Sequence, residues 1–145
     1  MGPSATRRGF LKCAAALSGT ALVVGFDRAG ARASPGAPDF NPFVRIDPDG
    51  VVTVILKHFE TGQGTMTGLA TLVAEELDAD WDHIETAFAP ADGERYKNLA
   101  TGFQGTGGST AIANAYVQYR RAGAAARAAL VAAAAGAWGV APSAV

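Results

Sequence analysis

The chain is expected to fold as an α+β protein, a β-hairpin followed by α-β-α, forming an incomplete part of a domain. Three observations carry this. Two β-rich runs, residues 43–46 and 51–57, flank Asp47-Pro48-Asp49-Gly50, where Pro at the second position and Gly at the fourth suit a type I turn. Leu69, Leu72, Val73 and Leu77 recur at helical spacing, which predicts a helix over 66–77. A second helix is predicted over 110–135, where alanines dominate and favour helix.

The intervening elements follow from the punctuation. Residues 34–42 are Ser-Pro-Gly-Ala-Pro-Asp-Phe-Asn-Pro, a linker too rich in proline for a helix or a central strand. Glu60-Thr61-Gly62-Gln63-Gly64 breaks the second strand, and Asp78-Ala79-Asp80 stops the first helix. Residues 84–89 read as a short strand ended by Pro90, and 91–108 as a long polar loop closing on Gln104-Gly105-Thr106-Gly107-Gly108. Ser109 is expected to cap the second helix through its hydroxyl. Ile112, Tyr116, Tyr119, Ala126 and Leu130 form its expected apolar stripe, with Gly136, Gly139 and Pro142 ending it. Three strands and two helices make a thin core, and the chain closes at Val145 just after a helix end, so residues 43–145 are expected to be part of a domain.

The N-terminus carries an address. Thr6-Arg7-Arg8-Gly9-Phe10-Leu11-Lys12 precedes a weakly apolar run over 13–26, and Ala31-Arg32-Ala33 is a small-x-small cleavage site. Residues 1–33 thus read as a twin-arginine signal, with Arg7 and Arg8 recognised by the export machinery and cleavage after Ala33. The run is short for a spanning helix, which needs ~20 residues; an uncleaved anchor is the alternative. The expected location is the periplasm, or the membrane facing it. The signal holds five of the 12 basic residues and one of the 13 acids, which leaves 7 basic against 12 acidic, a net charge of −5. No basic patch survives to neutralise phosphates, so nucleic acid is excluded as an expected partner. Cys13, the single cysteine, lies in the signal, so the remainder has no disulfide, thiolate zinc site or iron–sulfur ligands.

Two glycine-rich loops, each directly before a helix, are the features that point to chemistry. Glycines let a ligand approach the backbone, and the N–H groups and dipole of the helix behind them favour an anion. Gln63 adds an amide between two glycines; Ser109 and Thr110 add hydroxyls. The competing reading is two tight turns into helices. Gly62-Gln63-Gly64 with Gly68 also resembles a dinucleotide turn, with Glu85 at the spacing of a ribose-binding acid. Against that stand the mid-strand position of Glu85 and a preceding strand that belongs to a hairpin rather than to a parallel crossover. His58 is read as a strand-end side chain; with His83 and no cysteine it makes no expected metal site. Glu75, Glu76, Arg120 and Arg121 read as solvated faces, and Trp81 and Trp138 as covers of core edges. No Ser-His-Asp set is present.

The runs Asn41-Pro42-Phe43-Val44-Arg45-Ile46, Lys57-His58-Phe59-Glu60-Thr61-Gly62-Gln63-Gly64 and Thr67-Gly68-Leu69-Ala70-Thr71-Leu72-Val73-Ala74-Glu75-Glu76-Leu77 resemble the start of the large molybdopterin-binding subunit of the xanthine dehydrogenase family. The branch is that of isoquinoline 1-oxidoreductase beta subunits and their aldehyde dehydrogenase relatives. Phe103-Gln104-Gly105-Thr106-Gly107-Gly108-Ser109 and Gly123-Ala124-Ala125-Ala126-Arg127 continue the likeness. The resemblance implies a molybdenum–pterin cofactor in its dinucleotide form, touched by Gly62, Gln63 and Gly64 and by Gly107, Gly108, Ser109 and Thr110. Thr61 departs from the methionine many relatives carry there. It further implies a separate small subunit with two [2Fe–2S] clusters. The implied reaction is hydroxylation of a carbon next to nitrogen, or oxidation of an aldehyde, with water as the oxygen source and a small molecule as substrate. The family's glutamate base belongs to a distant C-terminal segment that this chain does not match, so no catalytic residue is assigned. A non-catalytic exported module that binds a small anion on the same loops is the alternative of a different class.

Overall fold

The computed structural model describes residues 41–145. Arg7, Arg8, the cleavage site at Ala33 and nearly all of the 34–42 linker lie outside them. The hairpin forms from β1 (Val44–Ile46) and β2 (Val52–Leu56), antiparallel, with Val44 opposite Val54 and Ile46 opposite Val52. The Gly50 N–H donates to Asp47 O at 2.9 Å and the Asp47 N–H to Val51 O at 2.9 Å, closing the expected turn.

α1 spans Thr65–Leu77 and stops at Asp78, whose φ is 59° and whose N–H returns to Ala74 O and Glu75 O. A 3₁₀ turn at Trp81–His83 leads into β3 (Ile84–Phe88). β3 pairs parallel with β2, Val52 against Ile84 through Leu56 against Phe88. The sheet order is β1-β2-β3. This corrects the sequence reading on one point: β2 belongs both to a hairpin and to a parallel β-α-β crossover. The correction has a clear cause. All five residues of β2 are buried, which is what a central strand with partners on both sides requires.

α2 runs Ala111–Trp138, and Gly139, at φ 65°, ends it. Gly136 lies inside the helix rather than at its end. The buried stripe also differs from expectation. Tyr116 is 43% exposed, and the inward face is Ala111, Ala115, Tyr119, Ala122, Gly123, Ala126 and Leu130. Small residues form this face because α1 lies close against it. A Cβ on Gly123 would sit 2.6 Å from the Val73 carbonyl oxygen. Glu76 and Arg120 join the two helices in an ion pair, so neither is a purely solvated side chain. Trp81 and Trp138 are about half exposed and do not seal the core.

The core lies between the sheet and the two helices, with Val44, Val54, Leu56, Leu69, Val73 and Tyr119 at its centre. The Tyr119 hydroxyl donates to Ile55 O at 2.7 Å and accepts from the Lys57 N–H at 2.9 Å. This single side chain ties α2 to the end of the central strand. Among the described residues, no helix is long and apolar enough to cross a membrane.

Candidate functional site

The C-terminal end of β2 releases the chain into Phe59–Gly64, and the long loop after β3 returns to the same place before α2 begins. The two glycine-rich loops therefore meet. Between them lies a cavity of about 570 Å³ lined by Phe59, Thr61, Gln63, Thr65, Thr106, Gly107, Ser109, Thr110, Ala111 and Ile112. That volume is of the size that holds a small molecule or part of a cofactor.

Of the residues singled out from the sequence, Gln63, Gly107, Ser109 and Thr110 line this cavity, whereas Gly62, Gly64 and Gly108 are not among its lining residues. The first loop is not an open anion cradle. The Glu60 carboxylate accepts from the N–H groups of Gly62 at 2.7 Å, Gly64 at 3.1 Å and Met66 at 2.9 Å. The start of α1 is capped by the chain's own negative charge. The Met66 and Gly64 N–H groups hold the Glu60 carboxyl below the ordinary glutamate range. Gly62 at φ 94° and Gly64 at φ 79° allow the loop to wrap around this carboxylate. Gln63 is drawn into the same knot. Its Nε2 donates to Phe59 O at 2.7 Å, and its Oε1 accepts from the Thr61 N–H and hydroxyl. The turn that resembled a dinucleotide motif is thus filled from within, and Glu85 is the second residue of β3, paired with Thr53.

The second loop has the opposite character. Thr110, not Ser109, is the N-cap of α2, and no side chain caps the first turn. The Thr110 hydroxyl is turned away, donating to Gly107 O at 3.0 Å and accepting from Asn98 Nδ2 at 2.9 Å. Ser109 is held at φ 54°, which a residue with a Cβ rarely adopts. The expected Ser109 cap is therefore replaced by an open helix start facing the cavity. Its positive end is available to a ligand oxygen.

Sequence reasoning missed two features. Thr65 is fully buried, lines the cavity, and its hydroxyl has no hydrogen-bond partner. A buried hydroxyl without a partner costs free energy, so its survival at a cavity wall points to a ligand group that satisfies it. A threonine at the first position of a helix gives no such signal from sequence.

The other is a buried polar seam behind the cavity. His58, just past the end of β2, is fully buried. Its Nδ1 lies 3.2 Å from Gly105 O and 3.4 Å from Thr106 Oγ1, and its Nε2 lies 3.2 Å from Asn114 Nδ2. Burial lowers its pKa below the ordinary histidine value, outweighing the hydrogen bonds at Asn114 and Gly105 that raise it, and the neighbouring Lys57 charge adds to the lowering. Lys57 is only 3% exposed; its ammonium donates to Lys97 O at 3.1 Å and to Gln118 Oε1. Burial pulls its pKa down to about 8. Asn98, also buried, anchors the loop through Ala100 N, Gly102 N and Thr110 Oγ1. Gln104 fixes the loop's far side by accepting from the Asp92 N–H and donating to Pro90 O, each at 2.9 Å. Among the described residues, no group of three His, Cys, Asp or Glu side chains converges as metal ligands would.

A family model described as a molybdopterin cofactor-binding domain matches residues 4–145. The chain is 39% identical over 142 residues to the isoquinoline 1-oxidoreductase subunit beta of Brevundimonas diminuta, covering 93% of this chain and 18% of that protein. It is 33% identical over 138 residues to the membrane-bound aldehyde dehydrogenase [pyrroloquinoline-quinone] of Gluconacetobacter polyoxogenes, covering 88% of this chain and 17% of that protein. The chain therefore spans less than a fifth of the length of these relatives.

Proposed function

Because the chain belongs to the molybdopterin cofactor-binding domain family, we propose that it supplies one wall of a molybdenum–pterin site in an oxidoreductase, with the cavity between its loops holding an anionic part of the cofactor. The observation that carries this is the unpartnered, fully buried Thr65 hydroxyl beside the uncapped start of α2. Both lack a partner that a phosphate or pterin oxygen supplies. Thr65, Gly107, Ser109 and Thr110 would hold the group, with Gln63 shaping the opposite side. The start of α1 takes no part in neutralising it, since Glu60 already occupies that end.

When bound, the cofactor supplies two-electron oxidation chemistry; for this family branch we propose hydroxylation of an N-heterocycle or oxidation of an aldehyde, with water as the oxygen source. This chain's residues bind and orient the group, and Phe59 and Ile112 keep its surroundings apolar. The dinucleotide form of the cofactor, an iron–sulfur partner subunit and export through Arg7 and Arg8 belong to the same proposal. The relative named subunit beta supports the existence of a partner.

The test is the molybdenum and pterin content per polypeptide of the complete protein, purified with its natural partners. Thr65→Val keeps the side-chain shape and removes the hydroxyl. It is expected to lower molybdenum content roughly ten-fold, as for loss of a hydrogen bond to a charged group, while the urea midpoint holds or rises. Gln63→Ala is expected to lower it as well. Full molybdenum occupancy in both variants would remove the cavity from the cofactor site. Metal analysis also separates this reading from a quinone cofactor of the kind in the aldehyde dehydrogenase relative's name.

A further inference from the structure

One imidazole joins the cavity wall made by the second loop, which Asn98 and Gln104 also anchor, to α2. Asn114, on α2, has both ends of its amide committed: Oδ1 accepts from the Leu99 N–H at 3.2 Å, and Nδ2 donates to Thr110 O. Its orientation is thereby settled, so the atom facing His58 Nε2 is a donor nitrogen. Nε2 must accept. The proton of neutral His58 then sits on Nδ1 and is donated to Gly105 O. Thr106, next in the chain, accepts from the Phe59 N–H at 2.9 Å, and both of these residues line the cavity. His58 is thus bonded to the loop on one side and to α2 on the other, from the end of the central strand.

We propose that His58 is a positioning residue for the cavity, acting in its neutral Nδ1–H form, and that protonation breaks its tie to α2 and loosens the Gly105–Thr110 wall. A proton on Nε2 would point a donor at the committed donor of Asn114. Asn114 cannot turn over without giving up Leu99 N and Thr110 O. The other faces of the ring meet Gly105 and Thr106, which are uncharged, and the charge acting on it is that of Lys57. No carboxylate is placed to stabilise an imidazolium, as the salt bridges among the described residues leave His58 out. With its folded pKa below the ordinary value, His58 takes a proton in the unfolded chain before it does so in the folded one. Its contribution to stability is therefore complete above about pH 6.5 and declines as pH falls below that.

The positioning role is independent of the cofactor; the consequence for cofactor retention rests on the function proposed above. Two measurements keep them apart. The first is nitrogen-15 NMR of the imidazole in the complete protein. The expected result is the Nδ1–H tautomer at pH 7.5, with the amides of Gly105, Thr106 and Gly107 shifting on acidification at the midpoint of the His58 ring. In His58→Gln, whose Oε1 can accept from Asn114 but cannot titrate, those shifts are expected to vanish. An Nε2–H tautomer, or loop amides indifferent to the ring, overturns the proposal.

The second is molybdenum retained by the complete protein after dialysis at pH 5 and at pH 7.5. Wild type is expected to lose at least five-fold more at pH 5, His58→Gln to retain equally at both, and His58→Ala to lose molybdenum at both. Equal pH dependence in wild type and His58→Gln overturns the link between His58 and retention. Wild type devoid of molybdenum at every pH, with the loop amides still following the ring, defeats the cofactor reading and supports the positioning role.

Discussion

Gly123 sits where α2 crosses α1, and the helix contact depends on its missing Cβ. A methyl there would lie 2.6 Å from Val73 O, 2.9 Å from Glu76 Cβ and 3.2 Å from Val73 Cα, where ordinary contact begins near 3.4 Å. The nearest atom belongs to the backbone of α1 and cannot rotate away, so the helices must part. Opening a well-packed contact in this way costs about 1–3 kcal/mol. Alanine returns about 1 kcal/mol through helix propensity, so Gly123→Ala should be destabilising by up to about 2 kcal/mol. Gly68 on α1 is the internal comparison. A Cβ there would meet only the Ile112 side chain, most closely its flexible tip Cδ1 at 2.9 Å. Gly68→Ala should therefore be neutral or gain up to about 1 kcal/mol. Urea unfolding of the 145-residue chain followed by circular dichroism measures both. The midpoint should fall for Gly123→Ala and hold or rise for Gly68→Ala. Loss of stability in both by the same amount would mean that helix approach is not what Gly123 provides, and a more stable Gly123→Ala would refute the packing argument outright.

Two further outcomes follow from the same core. Tyr119→Phe keeps the ring against Phe43 (centroids 4.8 Å apart) but strips the hydroxyl shared by Ile55 O and Lys57 N; leaving these groups unpaired should cost about 1–3 kcal/mol in urea unfolding, and a shift near zero would show that water reaches them. Lys57 should give an alkaline signature. Its folded pKa is about 8 against an ordinary value of 10.5, so between those values the unfolded chain holds the proton that the folded chain has released, and the Lys57 contribution to stability rises with pH. A pH series of urea midpoints should show that rise and lose it in Lys57→Met; an unchanged slope in the variant would assign it elsewhere.

Much of the molecule was legible from local chemistry. The hairpin turn at Asp47–Gly50, the helix that begins at the Gly62-Gln63-Gly64 loop and the alanine-rich second helix depend on turn residues, periodicity and propensity, which act over a few positions. The two glycine loops could be recognised as a pair, and Gln63, Gly107, Ser109 and Thr110 do share a cavity.

What local chemistry could not decide was where distant segments meet. The parallel pairing of β2 with β3 depends on both faces and both edges of β2 being enclosed, a property of the assembled sheet. Glu60 read as an unremarkable acid in a strand break; only the turn of the following backbone brings the Gly62, Gly64 and Met66 N–H groups onto its carboxylate. His58 and Asn114 are 56 residues apart in the chain. Their contact, the tautomer it selects and the orphaned hydroxyl of Thr65 exist only once α2 has closed over the end of the sheet. The sequence determined the elements and the chemical inventory of the loops, whereas the tertiary structure decided which helix start is already filled and which stands open, because hydrogen-bond satisfaction is settled by neighbours in space.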